Sequence, residues 1–78
     1  MARKHFQHYE AISSAMPAGN AYEAVIGVKR RGDDSRPRFH VVGYGQRFRR
    51  VLEAEEVAEA ALTKVLEVDE NGALIMES

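Results

Sequence analysis

The sequence predicts a small α+β domain. It expects an antiparallel sheet of three strands, or four with the C-terminal run, one long helix packed on one face, and a short N-terminal helix. Three observations carry that expectation. Residues 21–31 and 38–44 alternate apolar and polar with the period of a half-buried strand. Residues 53–67 place their apolar positions at helical spacing. The chain has 78 residues, enough for one core and too few for two.

The elements follow in order. From Arg3 to Met16 the apolar residues Phe6, Tyr9, Ile12 and Met16 recur at spacings of three, three and four, which suits a short amphipathic helix stopped by Pro17, Ala18, Gly19 and Asn20. Residues 1–20 are therefore read as an N-terminal segment, short helix or partly disordered, ahead of a single α+β domain over 21–78. Ala21 to Arg31 reads as a strand with Tyr22, Ala24, Ile26 and Val28 on one face. Residues 32–37 form a polar loop, and Arg38 to Tyr44 resumes the alternation with Phe39 and Val41 on one side and His40, Val42 and Tyr44 on the other. Gly43 and Gly45 permit a change of direction, after which Gln46 to Val51 returns as a third strand with Phe48 inward and Arg47 and Arg49 outward. Glu53 to Glu67 is the expected long helix, its glutamates in the first two turns where they complement the helix dipole. Asp69 to Gly72 is turn material, and Ala73 to Met76 is expected as a short strand on a sheet edge.

Composition limits the function. There are no cysteines, so stability must come from packing or association, in keeping with a reducing cytoplasm. The start MARKHFQH has no apolar run behind it, so no secretory signal, membrane anchor or membrane partner is expected. The net charge of −1 hides a reversal. Residues 1–52 hold ten Lys or Arg against four Asp or Glu, whereas residues 53–78 hold one against eight. Such asymmetry points to a charged partner.

If the helix covers the face made by Tyr22, Ala24, Ile26, Val28, Phe39, Val41 and Phe48, the opposite face displays Lys29, Arg31, Arg38, His40, Tyr44, Arg47 and Arg49, opposed by Glu23. A basic sheet face with an aromatic is suited to phosphates, so the expected function is a non-enzymatic module that contacts DNA or RNA through those seven residues. The alternative is a protein-interaction or self-associating module, a regulator or inhibitor, that uses a sheet edge and the acidic helix. The apolar run Leu74, Ile75 and Met76 would supply the edge, and the partner would be another protein or a second copy.

The order strand, strand, strand, helix, with RFRRVLEAEEVAEAAL joining the last two, resembles the amino-terminal arm-binding domain of phage integrases over residues 21–66. The matching residues are Phe48, the acidic helix start Glu53, Glu55 and Glu56, and the outer-face arginines. That resemblance implies a sheet laid in the DNA major groove. With the N-terminal helix included, the order is also similar to a double-stranded-RNA-binding domain, whose helix is echoed by Ala60, Ala61 and Leu62. Glu55, Val57 and Glu59 stand where that family carries lysines.

Chemistry by a standard constellation is not indicated, and neither an enzyme nor a cofactor is expected. His5 and His8 would share a helical face, but a stable metal site needs three or four ligands and no third is indicated nearby. The run Gly43-Tyr44-Gly45 lacks the third glycine of a dinucleotide loop, with Phe48 in its place. Ser13 and Ser14 have no neighbours that would make either a nucleophile.

Overall fold

A computed structural model describes residues 2–32, 34 and 36–77. In chain order the elements are β1 (Arg3–His5), β2 (Tyr9–Ala18), β3 (Ala21–Arg30), β4 (Arg38–Val41), β5 (Arg47–Phe48), α1 (Val51–Thr63), β6 (Val65–Val68) and β7 (Leu74–Met76). The fold is the expected α+β class, an antiparallel sheet with one helix packed against it. The main sheet has five strands in the order β1-β2-β3-β4, with β5 pairing beside β4 on β3, and β6 and β7 form a second, two-stranded sheet.

The axis of the fold is the β2–β3 hairpin, paired along ten residues from Tyr9 opposite Arg30 to Ala18 opposite Ala21. Its two-residue turn begins at Gly19, whose φ of +66° is the conformation that favours glycine at the first position of a hairpin turn. The N-terminal helix expected over residues 3–16 is not formed, and this segment is strand instead. Helical propensity is a weak prior, and a full-length strand partner outweighs it. The inward positions Ala11, Ser13 and Ala15 are small and let the helix approach, while Pro17 lies beyond the end of β1, where β2 is an edge and no ladder donor is needed. The boundary drawn at residue 20 therefore falls in the turn of one continuous sheet.

Residues directly opposite in an antiparallel pair share a face, so the register assigns every side chain. Ala11, Ser13 and Ala15 face inward with Val28, Ile26 and Ala24. On this side Ala11, Ile26, Val28, Leu62, Val65 and Val68 make the buried core. The helix covers one part of this face with Ala54, Ala58 and Leu62, and the β6–β7 hairpin covers the rest. Ser13 is buried but satisfied, its hydroxyl accepting from the Ala2 amide at 2.7 Å.

Several details differ from expectation. The strand expected over 38–44 ends at Val41, the one expected over 46–51 is confined to Arg47–Phe48, and Val51 and Leu52 already belong to α1. His40 lies opposite Ile26 and Arg38 opposite Val28, so these two face the helix side while Phe39 and Val41 face away. The loop length sets this register, and the inward polar groups find carbonyl partners: Arg38 donates to Asn71 O at 3.2 Å, and His40 Nε2 bonds Gly72 O at 3.0 Å. The helix ends at Thr63, and Val65 and Leu66 begin β6. Residues 74–76 pair with β6 rather than with the main sheet. Asp69 holds that turn, its Oδ1 accepting from the amides of Asn71 and Ala73, each at 2.9 Å. Among the described residues no helix is long and apolar enough to cross a membrane.

Candidate binding surfaces

The seven residues expected to form one basic face are distributed over several surfaces. Lys29 and Arg47 do lie on the open face of the sheet, opposite Glu10 and Glu23 respectively. Arg38 and His40 lie on the helix side, tied to the β6–β7 turn. Arg31 follows β3 and donates to Phe6 O at 3.3 Å, at the end of the sheet. Tyr44 is fully exposed in the β4–β5 loop, and Arg49 is exposed in the bend before α1. A shared strand parity was the basis for grouping them, and the β4 register removes it.

What the open face presents instead is apolar. Its centre is Ile12 opposite Gly27 opposite Phe39, and Ser14 opposite Val25 opposite Val41, with Met16 at one end. Phe39 and Val41 are 48% and 52% exposed, whereas Val25 beneath them is fully buried. The Phe39 ring lies over Gly27, where an added Cβ would come within 3.0 Å of it. Around this centre the charges are mixed. Arg3 pairs with Glu10 at 3.0 Å, Lys29 stands opposite Glu10, and Arg47 stands opposite Glu23.

The cationic residues gather elsewhere. A cleft of about 190 Å³ at the end of β3 is lined by Lys29, Arg30, Arg36 and Arg38, and none of the described residues lining it carries a carboxylate. Arg30 also lies over the Tyr9 ring, 5.9 Å from its centroid. A third surface, a groove of about 520 Å³, runs between the β4–β5 loop, α1 and β7 and is lined largely by Val42, Val57, Ala60, Ala61 and Met76. No family model matches the chain, and no curated protein or solved structure matches it.

His5 ends a strand and His8 lies in the following bend, so their spacing does not place them on one helical face. Among the described residues no three His, Asp or Glu side chains gather in a way that would hold a metal ion. Sequence reasoning missed Arg30 and Arg36 as partners of Lys29 and Arg38, because strand parity says nothing about residues that meet at a strand end. It also missed the apolar open face, although a signal was present. The run Ala24-Val25-Ile26-Gly27-Val28 is apolar without interruption, the pattern of a strand buried on both faces.

Proposed function

We propose that this protein is a non-enzymatic interaction module that docks another polypeptide on the open face of its sheet. The observation that carries the reading is the apolar centre of that face, Ile12, Met16, Phe39 and Val41 around a fully buried Val25, on the side of β3 away from the helix. Contiguous exposed apolar surface on a small domain marks a contact site more often than scattered apolar residues do. The expected absence of enzymatic chemistry is part of this reading. A photo-crosslinking residue at position 41 should give protein adducts in the native cell, while the same residue at exposed position 56 on α1 should not. Adducts from neither position, or equally from both, would remove the reading.

The cationic cleft supports nucleic-acid contact as a second reading, moved from the sheet face to the end of β3. Lys29, Arg30, Arg36 and Arg38 would hold phosphates there, with affinity falling steeply as salt rises. Titration of labelled duplex DNA, single-stranded DNA and duplex RNA at low salt tests it, with an Arg36→Glu, Arg38→Glu variant alongside. Absence of binding to all three, or binding that the variant leaves unchanged, would retire it.

A further inference from the structure

We infer that the groove between β7, α1 and the β4–β5 loop takes an extended, apolar segment of another polypeptide, which adds to β7 as a third strand of the small sheet. This surface is separate from the open face of the main sheet and does not depend on the reading of that face. The backbone of β7 carries the inference. Asp69 N donates to Ala73 O at 2.9 Å and Glu77 N donates to Lys64 O at 2.7 Å, so residues 73 and 77 turn their ladder groups toward β6. The register shift in this pairing lies between Val65 and Glu67 of β6 and leaves the alternation of β7 unbroken. Ile75 therefore also points toward β6, and the N–H and C=O groups of Leu74 and Met76 point away from it. Among the described residues nothing bonds them.

Other strands have free edges too, and their side chains protect them. β1 carries Arg3, Lys4 and His5, β4 carries Arg38 and His40, and β5 carries Arg47. Charged side chains on an edge discourage a further strand. β7 is Leu74-Ile75-Met76, an edge with no charge. It is also the edge beside the groove. β7 lines that groove and β6 does not, so the groove lies on the unpaired side of β7, with Val57, Ala60 and Ala61 of α1 as the facing wall. An added strand finds donors and acceptors there at strand spacing, which a small apolar molecule would leave unpaired. Residues opposite one another across two strands share a face. Leu74 packs against the core, so a guest residue opposite Leu74 or Met76 turns inward toward Val42 and Val57, and its neighbours turn outward with Ile75. The guest is thus apolar at alternate positions. Lys64 and Glu77 at one end of the groove are of opposite charge and select no charged guest. A volume of about 520 Å³ admits a few extended residues and excludes a folded hairpin. At the rim, Tyr44 is fully exposed with a φ of +59°, and a non-glycine residue held in that region is the kind of strain that gathers at ligand clamps.

The test is selection of random displayed peptides on the full chain, followed by titration of the enriched peptides synthesised with capped ends. These should carry apolar residues at alternate positions, and their binding should protect the Leu74 and Met76 amides, which exchange freely with solvent in the unbound protein. Methylation of a central peptide amide that faces β7 should weaken binding roughly tenfold, while methylation of the next amide along should not. Ala60→Lys fills the groove from an exposed position on α1 and should weaken binding as much. Met76→Pro removes an outward donor from a residue with no ladder bond to lose, and provides the same test if the first variant does not fold. No enriched peptide, Leu74 and Met76 amides that stay unprotected in the complex, or binding insensitive to both variants would each overturn the inference. Peptides lost with Phe39→Asp but retained with Ala60→Lys and Met76→Pro would belong to the open face and overturn it as well. Protection of the same two amides by rising protein concentration alone would make the occupant a second copy and remove the foreign segment.

Discussion

At the scale of single residues, the loop between β4 and β5 is tightly constrained. Gly43, Tyr44 and Gly45 have consecutive positive φ values of 75°, 59° and 72°, and Tyr44 is the described non-glycine residue in that region. Gly43 has a second reason to lack a side chain, since an added Cβ would sit 2.8 Å from Val57 Cγ1. Gly43→Ala combines left-handed strain with overpacking against α1 and should cost about 2–3 kcal/mol, read from urea unfolding. Tyr44→Asn should act in the opposite direction, because the tyrosine side chain is fully exposed and asparagine tolerates left-handed φ better. A rise of about 2–4 °C in the unfolding midpoint is expected, and a fall would show that the Tyr44 ring makes a stabilising contact. In sequence the two glycines mark a change of direction. The close approach of Val57 is visible only once helix and loop are placed together.

At the scale of elements, α1 lacks a conventional start. Arg50 is the N-cap, with extended backbone and no side-chain hydrogen bond to the free amides, and its guanidinium reaches Glu53 only at 4.0 Å. Glu53 already occupies the third helical position, so Arg50→Ser would complete a capping box. It should raise stability by about 0.5–1 kcal/mol, and no change in the unfolding midpoint would mean the serine hydroxyl does not reach the helix amides. The helix itself was legible because Ala54, Ala58 and Leu62 report their burial through a period that tertiary context does not alter. The long strand β3 was legible for the same reason, with Tyr22, Ala24, Ile26 and Val28 on the helix side. Strand β2 was not, because Phe6, Tyr9, Ile12 and Met16 satisfy a helical spacing by coincidence while the inward residues Ala11, Ser13 and Ala15 are small and carry little hydrophobic signal. The faces of β4 were misread for a different reason. Parity within a strand is visible in sequence, but which parity faces the core depends on the register across a seven-residue loop. One slip of that kind exchanged Phe39 and Val41 for Arg38 and His40, and with them the expected character of the open face.

At the scale of the whole molecule, the charge reversal in the sequence does not reduce to a basic sheet opposed to an acidic helix. The open face mixes Arg3, Lys29 and Arg47 with Glu10 and Glu23, while the strand-end cleft gathers Arg30, Arg36 and Arg38 beside Lys29. The helix layer is joined to the sheet at both margins, with Lys4 Nζ donating to Val65 O at 2.6 Å on one side and Arg38 and His40 held by the β6–β7 turn on the other. The β2–β3 hairpin also bears on how quickly the chain reaches this state. Its pairing joins residues close in sequence across a two-residue turn, whereas β1, β4 and the helix layer add onto strands that must already exist. Early formation of that hairpin would place the Gly19 turn inside the folding transition state, so Gly19→Ala should slow refolding by nearly the full stability it costs and leave unfolding almost unchanged. A variant that instead accelerated unfolding would show that the chain collapses around α1 first, with the hairpin closing late.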